Sequence, residues 1–326
     1  MANQVAPVHR AGPPVAMQSA WSATLPGGLA MFLYFRSCRQ SLCLFGLIVV
    51  AGFVLVSCGP TATNQPASQT SAYDRAKDAF KSGQLDKALD LTYKLSTATP
   101  PADSTERARV LRAVIYTGEF KSAWELTEAY SKGVEKSKNP RFQTEYRRLH
   151  HDNLDAAVKA ALNVAETAHQ LAPDGAIAKE LTLEASFPTT EGPLQVKELA
   201  RVEEGGWIEP DQQESAAADS LRKGIDDALA DAVSGDRSKA RQALANGSAK
   251  LGGAAFAIFL AKELAAGAVV VDRHHARDPQ KLIALCDEGE ATLKAALALL
   301  KDTPDKDQEK EAKKLQDKFK TLRKDK

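Results

Sequence analysis

The sequence predicts an all-α protein in which helical hairpins are followed by an alanine-rich helical bundle, and three observations carry that expectation. A turn-like block recurs: Gly83-Gln84-Leu85-Asp86-Lys87-Ala88 returns as Gly118-Glu119-Phe120-Lys121-Ser122-Ala123 after 35 residues, and as Asp152-Asn153-Leu154-Asp155-Ala156-Ala157 after a further 34. That period fits one helix-turn-helix unit. Apolar residues between the blocks fall three and four apart, as Leu85, Ala88, Leu89 and Leu95 do, so they share one helix face. Helix breakers separate the stretches at Pro100-Pro101, Asn139-Pro140 and Pro173-Asp174-Gly175.

Residues 1–57 contain no acidic residue and only three cations, Arg10, Arg36 and Arg39. No charge interrupts the apolar stretch from Gln40 to Ser57, which has the character of an export signal and approaches the lower length limit of a membrane span, about 17 residues. Leu55-Val56-Ser57-Cys58 closes it, and Gly59, Pro60 and a polar stretch follow, so residues 58–71 read as a flexible tether. The tetrad resembles the bacterial lipobox. That resemblance implies cleavage before Cys58 and diacylglycerol with fatty acids such as palmitate on its thiol. It also implies a membrane-anchored chain facing the periplasm, with Gly59 rather than Asp favouring the outer membrane. Met31, with Arg36 and Arg39 behind it, would begin a conventional signal, so translation is expected to start there. Once Cys38 and Cys43 leave with the signal and Cys58 carries lipid, Cys286 has no disulfide partner.

Residues 72–186 carry the hairpins, with helices expected over Tyr73 to Lys81, Leu85 to Leu95, Ser104 to Tyr116, Lys121 to Gly133, Arg141 to His151 and Leu154 to Leu171. The recurring blocks resemble the turn between the two helices of a tetratricopeptide repeat. Gly83, Gly118 and Asp152 stand where the chain turns, an apolar residue follows two later, and Ala88, Ala123 and Ala157 stand where the helices approach. Pro100 falls at the terminal proline position of the first copy, and Pro173 four residues late in the third. The copies are degenerate: the Trp and Leu-Gly of the first helix are absent, and Ala76, Leu111 and Glu145 hold the usual small position. The resemblance implies a stacked array with a concave, partner-binding surface.

Residues 187–210 form a linker rich in Pro and Gly, with a short helix possible over Leu194 to Glu203 and Trp207 expected to dock between the halves. Residues 211–300 form the bundle. Asp211 and Glu214 have capping-box spacing for a helix to Val233. Asp236 caps a short helix to Ala245, and Asp278-Pro279 starts one through Leu300. Between them, Leu251 to Val271 holds only Lys262 and Glu263 as charges. Two charges at mid-length would each cost about 2.5–3.5 kcal/mol in a bilayer, so a buried core helix is expected. In residues 301–326, 17 of 26 are charged, which predicts a solvated, fraying tail, with contact to anionic lipid or cell-wall polymer as the sharper alternative.

The 43 basic and 42 acidic residues leave no electrostatic footprint for nucleic acid. Gly-x-Ser-x-Gly, phosphate-loop, dinucleotide and zinc-spaced Cys patterns are absent, so no catalytic residue and no cofactor are expected. Glu166-Thr167-Ala168-His169 has the Glu-x-x-His spacing of carboxylate-bridged metal bundles, but such a site needs two copies and further Glu residues. Glu166 and His169 are therefore weak metal candidates, expected to face solvent or a neighbouring helix. The pairs His150-His151 and His274-His275 split across helix faces about 100° apart. The expected function is a lipid-anchored envelope scaffold or adaptor that holds another envelope protein or peptide. Two alternatives stand beside it: a ligand-binding lipoprotein serving a transporter, and a metal-dependent enzyme using Glu166 and His169.

Overall fold

The computed structural model describes residues 71–97, 104–188, 196–274 and 278–324. The export signal, the tether, Cys58 and Pro100 lie outside the described residues. Within them the protein is all-α: ten helices and one two-stranded antiparallel sheet.

Helices α1 (Ala72–Lys81) and α2 (Leu85–Ser96) form the first hairpin. Ser71 caps α1 by accepting from Asp74 N–H at 3.0 Å. Gly83 turns the chain at φ +75°, which an L side chain rarely adopts, and Gln84 N–H closes back on the Ala79 carbonyl at 2.8 Å. Ala88 is fully buried beneath this turn.

The next two recurrences behave differently. One unbroken helix, α3 (Ser104–Lys136), runs through Gly118, and another, α4 (Pro140–Leu171), runs through Asp152. Neither residue turns the chain, so four expected helices are two long ones packed along each other. Gly118 serves close approach instead: a Cβ there would overlap Ile225, and a Cβ on Gly224 would overlap the Gly118 carbonyl. Asp152 pairs with Arg148 one turn earlier at 2.8 Å, which supports helix rather than ending it. The Asn139-Pro140 break holds, with Asn139 capping α4 and Pro140 in its first turn, and so does Pro173-Asp174-Gly175, before which α4 ends at Leu171.

A short strand, β1 (Glu180–Leu183), follows and pairs with β2 (Ala249–Gly252), Leu181 opposite Leu251. Residues 196–210 of the expected linker are structured. Helix α5 (Lys197–Glu203) buries Leu199 and Val202 in a second, smaller core with Tyr130, Tyr146 and Ile208. Trp207 stacks on Phe142 at 4.7 Å between ring centres, and the Tyr146 hydroxyl donates to the Gly206 carbonyl.

Helix α6 (Pro210–Val233) starts two residues earlier than its expected cap: Glu209, not Asp211, forms the capping box, with Gln212 rather than Glu214 as its partner. Asp236 caps α7 (Arg237–Ala243), and Asp278 caps α9 (Pro279–Asp302), as the sequence predicts. Helix α8 (Gly253–His274) is long and apolar enough to cross a membrane, yet 72% of its apolar window is buried inside the body. It packs on α4, α9 and α10 (Lys306–Lys324). The tail helix α10 is docked rather than fraying, because Ala312, Leu315 and Phe319 are buried and the Phe319 ring occupies the space left by the missing Cβ of Gly289.

Candidate functional site

Two cation clusters stand out in a body whose core is mostly apolar; fully buried Asp226, which meets Arg241 at 3.3 Å, is a further charged site. The first joins α3, α6 and α8. Lys121 Nζ lies 2.9 Å from Glu263 Oε1 and 3.0 Å from Asp231 Oδ2. Burial opposes the Lys121 charge most strongly, but the two carboxylates together hold its pKa above the ordinary lysine value. Burial raises the Glu263 carboxyl, with Lys121 pulling it back down. A polar seam continues along α3 and α6, where Glu125 accepts from Ser220 Oγ at 2.9 Å and from Lys223 Nζ at 2.9 Å.

The second cluster lies where α3 meets the end of α2. Arg112 is 1% exposed, one of the few places where a guanidinium goes fully inside. Its Nη1 donates to Ser96 Oγ at 2.6 Å and to Gln170 Oε1 at 3.1 Å. The rings of Tyr93 and Tyr116 cover the guanidinium at 5.0 and 5.4 Å from their centres, within cation-π range. One turn earlier, Arg109 Nη2 donates to the Ser96 carbonyl at 3.0 Å. Both arginines thus meet the negative end of the α2 dipole. Neither has a carboxylate within ion-pair distance among the described residues, and the Nε of each is buried without a partner. Burial lowers the Arg109 pKa, and the neighbouring Arg112 charge lowers it further.

Arg109, Tyr116 and Gln170 bring the arginine cluster to the edge of the body half-buried, and Tyr93 reaches furthest into solvent. Tyr93 is 47% exposed, one of two large apolar residues standing that far out of the surface. Half-buried Leu91 and Leu95 share its helix. Neighbouring α3 adds Glu119, whose carboxyl is pushed up to about 7 by burial, then by the Asp86 charge, with Lys159 opposing.

The residues singled out by sequence are scattered. Gly83 is a turn, Gly118 and Asp152 lie inside helices, and Ala88, Ala123 and Ala157 are buried in the main apolar core from three different helices. Glu166 accepts from Gln170 at 3.1 Å on its own helix, whereas His169 Nδ1 lies 3.3 Å from Glu288 on α9. The two side chains do not converge, and no group of three His, Cys, Asp or Glu residues is arranged to hold a metal among the described residues. His150 and His274, one from each adjacent pair, do meet, with ring centres 6.1 Å apart beside Trp124.

Arg109 and Arg112 escape motif reading. The available signal is compositional: in Val110-Leu111-Arg112-Ala113-Val114-Ile115 a single charge interrupts an apolar run, and Arg109 sits three residues before it on the same face. Comparison with protein-family models, with curated proteins and with solved structures found no match to this chain.

Proposed function

We propose that the protein is a lipid-anchored envelope scaffold or adaptor, held through Cys58 at a bacterial membrane and binding another envelope protein or peptide through the α2 face. The single observation that carries the binding half is Tyr93, laid half-exposed on the buried Arg112 guanidinium. Tyr and Arg are the residue types that concentrate binding energy in protein interfaces, and hot spots form where such anchors are held rigid. Here the rings of Tyr93 and Tyr116 and the Ser96 hydroxyl fix the guanidinium before any partner arrives. A cation pair with no carboxylate at ion-pair distance among the described residues favours a partner segment that brings a carbonyl row or an acidic group. The anchor half rests on the Leu55-Val56-Ser57-Cys58 tetrad at the exit of the apolar run, with the outer membrane as the favoured address.

Two measurements test the reading. Cys58→Ala should abolish labelling by a fatty-acid analogue; undiminished label refutes the anchor. The lipidated chain purified from solubilised membranes should bring down one protein in fixed proportion, and Tyr93→Ala should release it without lowering the melting temperature by more than a few degrees. A partner retained by Tyr93→Ala refutes the α2 face as its binding surface.

A further inference from the structure

The docked tail creates a surface that the adaptor reading does not use. Helix α10 carries eight cations against four acidic residues between Lys306 and Lys324. Three of the cations, Lys310, Lys314 and Lys318, are spaced by four, so they form one stripe along the helix. The stripe faces a surface cleft of about 710 Å³ between α8 and α10, whose other wall carries Lys262. Leu315 and Phe319 lock the helix in place from beneath, which holds the ammonium groups in register instead of leaving them on a fraying tail.

The acidic residues of the cleft offset this charge only in part: Lys262, Lys310, Lys314 and Lys318 outnumber Asp307, Glu311 and Asp317 in its lining. Asp317 is taken by Lys320 at 3.3 Å. Asp307 and Glu311 also line the cleft, but neither comes within ion-pair distance of a lysine there. On the opposite side of α10 the pattern differs, since Arg323 bridges to Asp287 and to Glu290 of α9. Lys318 reports the crowding: burial lowers its pKa, and the Arg273 and Lys314 charges lower it further. Like charges held together in this way gain most from an anionic ligand that spans several of them.

We propose that the cleft bordered by Lys262, Lys310, Lys314 and Lys318 docks on anionic lipid headgroups. Charge complementarity favours this occupant, because a bilayer presents phosphates at a density that matches a linear stripe, and each cation near such a surface strengthens the contact. The choice of a membrane rests on the lipid anchor proposed above. Twelve residues separate Cys58 from Ser71, a length of chain that reaches at most about 45 Å, so the anchored body stays within reach of the headgroups. The contact would orient the body on the membrane and weaken as salt rises.

The test uses the full lipidated chain, mixed in detergent with either phosphatidylcholine or a phosphatidylcholine–phosphatidylglycerol mixture and recovered by flotation after detergent removal. Amine-reactive labelling is then read residue by residue by mass spectrometry. Labelling of Lys310, Lys314 and Lys318 should fall by about fivefold with phosphatidylglycerol, while exposed Lys87 and Lys159 stay equally reactive in both. Changing all three lysines to Gln should restore full labelling of Lys262. Equal labelling of the stripe in both vesicle types overturns the proposal, as does a uniform loss that includes Lys87 and Lys159. Protection that appears only in native membranes and not in pure lipid would assign the cleft to a protein, and overturns it too. The anchor is judged separately. Flotation with both vesicle types but no protection refutes the docking alone; flotation only with phosphatidylglycerol supports the docking and refutes the anchor; flotation with neither contradicts both.

Discussion

Lys121 and Arg112 are both drawn into the interior of α3, nine residues apart, yet they are neutralised in opposite ways. Lys121 meets two carboxylates, Asp231 and Glu263, on two other helices. Arg112 meets a hydroxyl, an amide oxygen and two tyrosine rings, with its neighbour Arg109 adding a second positive charge. The first arrangement is closed: the lysine is answered twice, by carboxylates that belong to the fold itself. In the second, no carboxylate among the described residues lies within ion-pair distance of either arginine, at an edge where a tyrosine is exposed. A buried cation matched by carboxylates ties helices together, whereas one matched by dipoles and rings retains the capacity to attract an anionic or carbonyl-bearing partner.

The largest expected effect comes from breaking the closed cluster. Lys121→Met should strand Glu263 and Asp231 and cost about 3–5 kcal/mol, because removing one partner leaves uncompensated buried charge; denaturant melts at pH 7 measure it. A loss below 1 kcal/mol would mean the triad is not closed as described.

Glu119 sharpens the contrast, as a largely buried carboxyl that neither cluster neutralises. Its pKa rises from 4.5 unfolded to about 7 folded, so the folded state holds an extra proton between those values. Its contribution to stability is therefore fully present below about pH 4.5 and lost as pH rises through about 7. Glu119→Gln should remove that dependence and raise stability at pH 8 by on the order of 3 kcal/mol. Parallel melts of the two proteins from pH 4.5 to 8 check the sign; parallel curves throughout would contradict it.

Arg112→Met should cost less than Lys121→Met, about 1–3 kcal/mol, since it removes charged hydrogen bonds and ring contacts without stranding a carboxylate. Reversal of that order would overturn the comparison. Ala88→Leu probes the hairpin that carries Tyr93. Its fully buried site should be overpacked by about 1–2 kcal/mol, and an unchanged melting temperature would argue against tight contact there.

The sequence made the helical class legible because long stretches keep the 3.6-residue period and because Asn139, Asp236 and Asp278 supply caps that the structure uses. It misplaced Gly118 because glycine serves two purposes, a turn or a close helix crossing, and only the position of Ile225 and Gly224 on α6 decides between them. The strand pair went unread since four residues carry too little alternation, and its stability comes from a partner about 70 residues away. The tail's charges concealed Ala312, Leu315 and Phe319, whose three- and four-residue spacing marks a buried face once α8 and α9 are there to receive it. At the candidate site, Arg112 was invisible because its significance lies in partners distant in sequence: Ser96, Gln170 and the Tyr93 ring, which no local pattern brings together.

The most direct test of the account is a photo-crosslinking amino acid at position 93, compared with the same probe at exposed position 159, in intact cells carrying the full chain. The account predicts one discrete adduct from position 93, none from position 159, and loss of the adduct when Arg112→Met is added. Equal adducts from both positions, or an adduct at 93 that survives Arg112→Met, would contradict the claim that the uncompensated arginine cluster makes the α2 face the working surface.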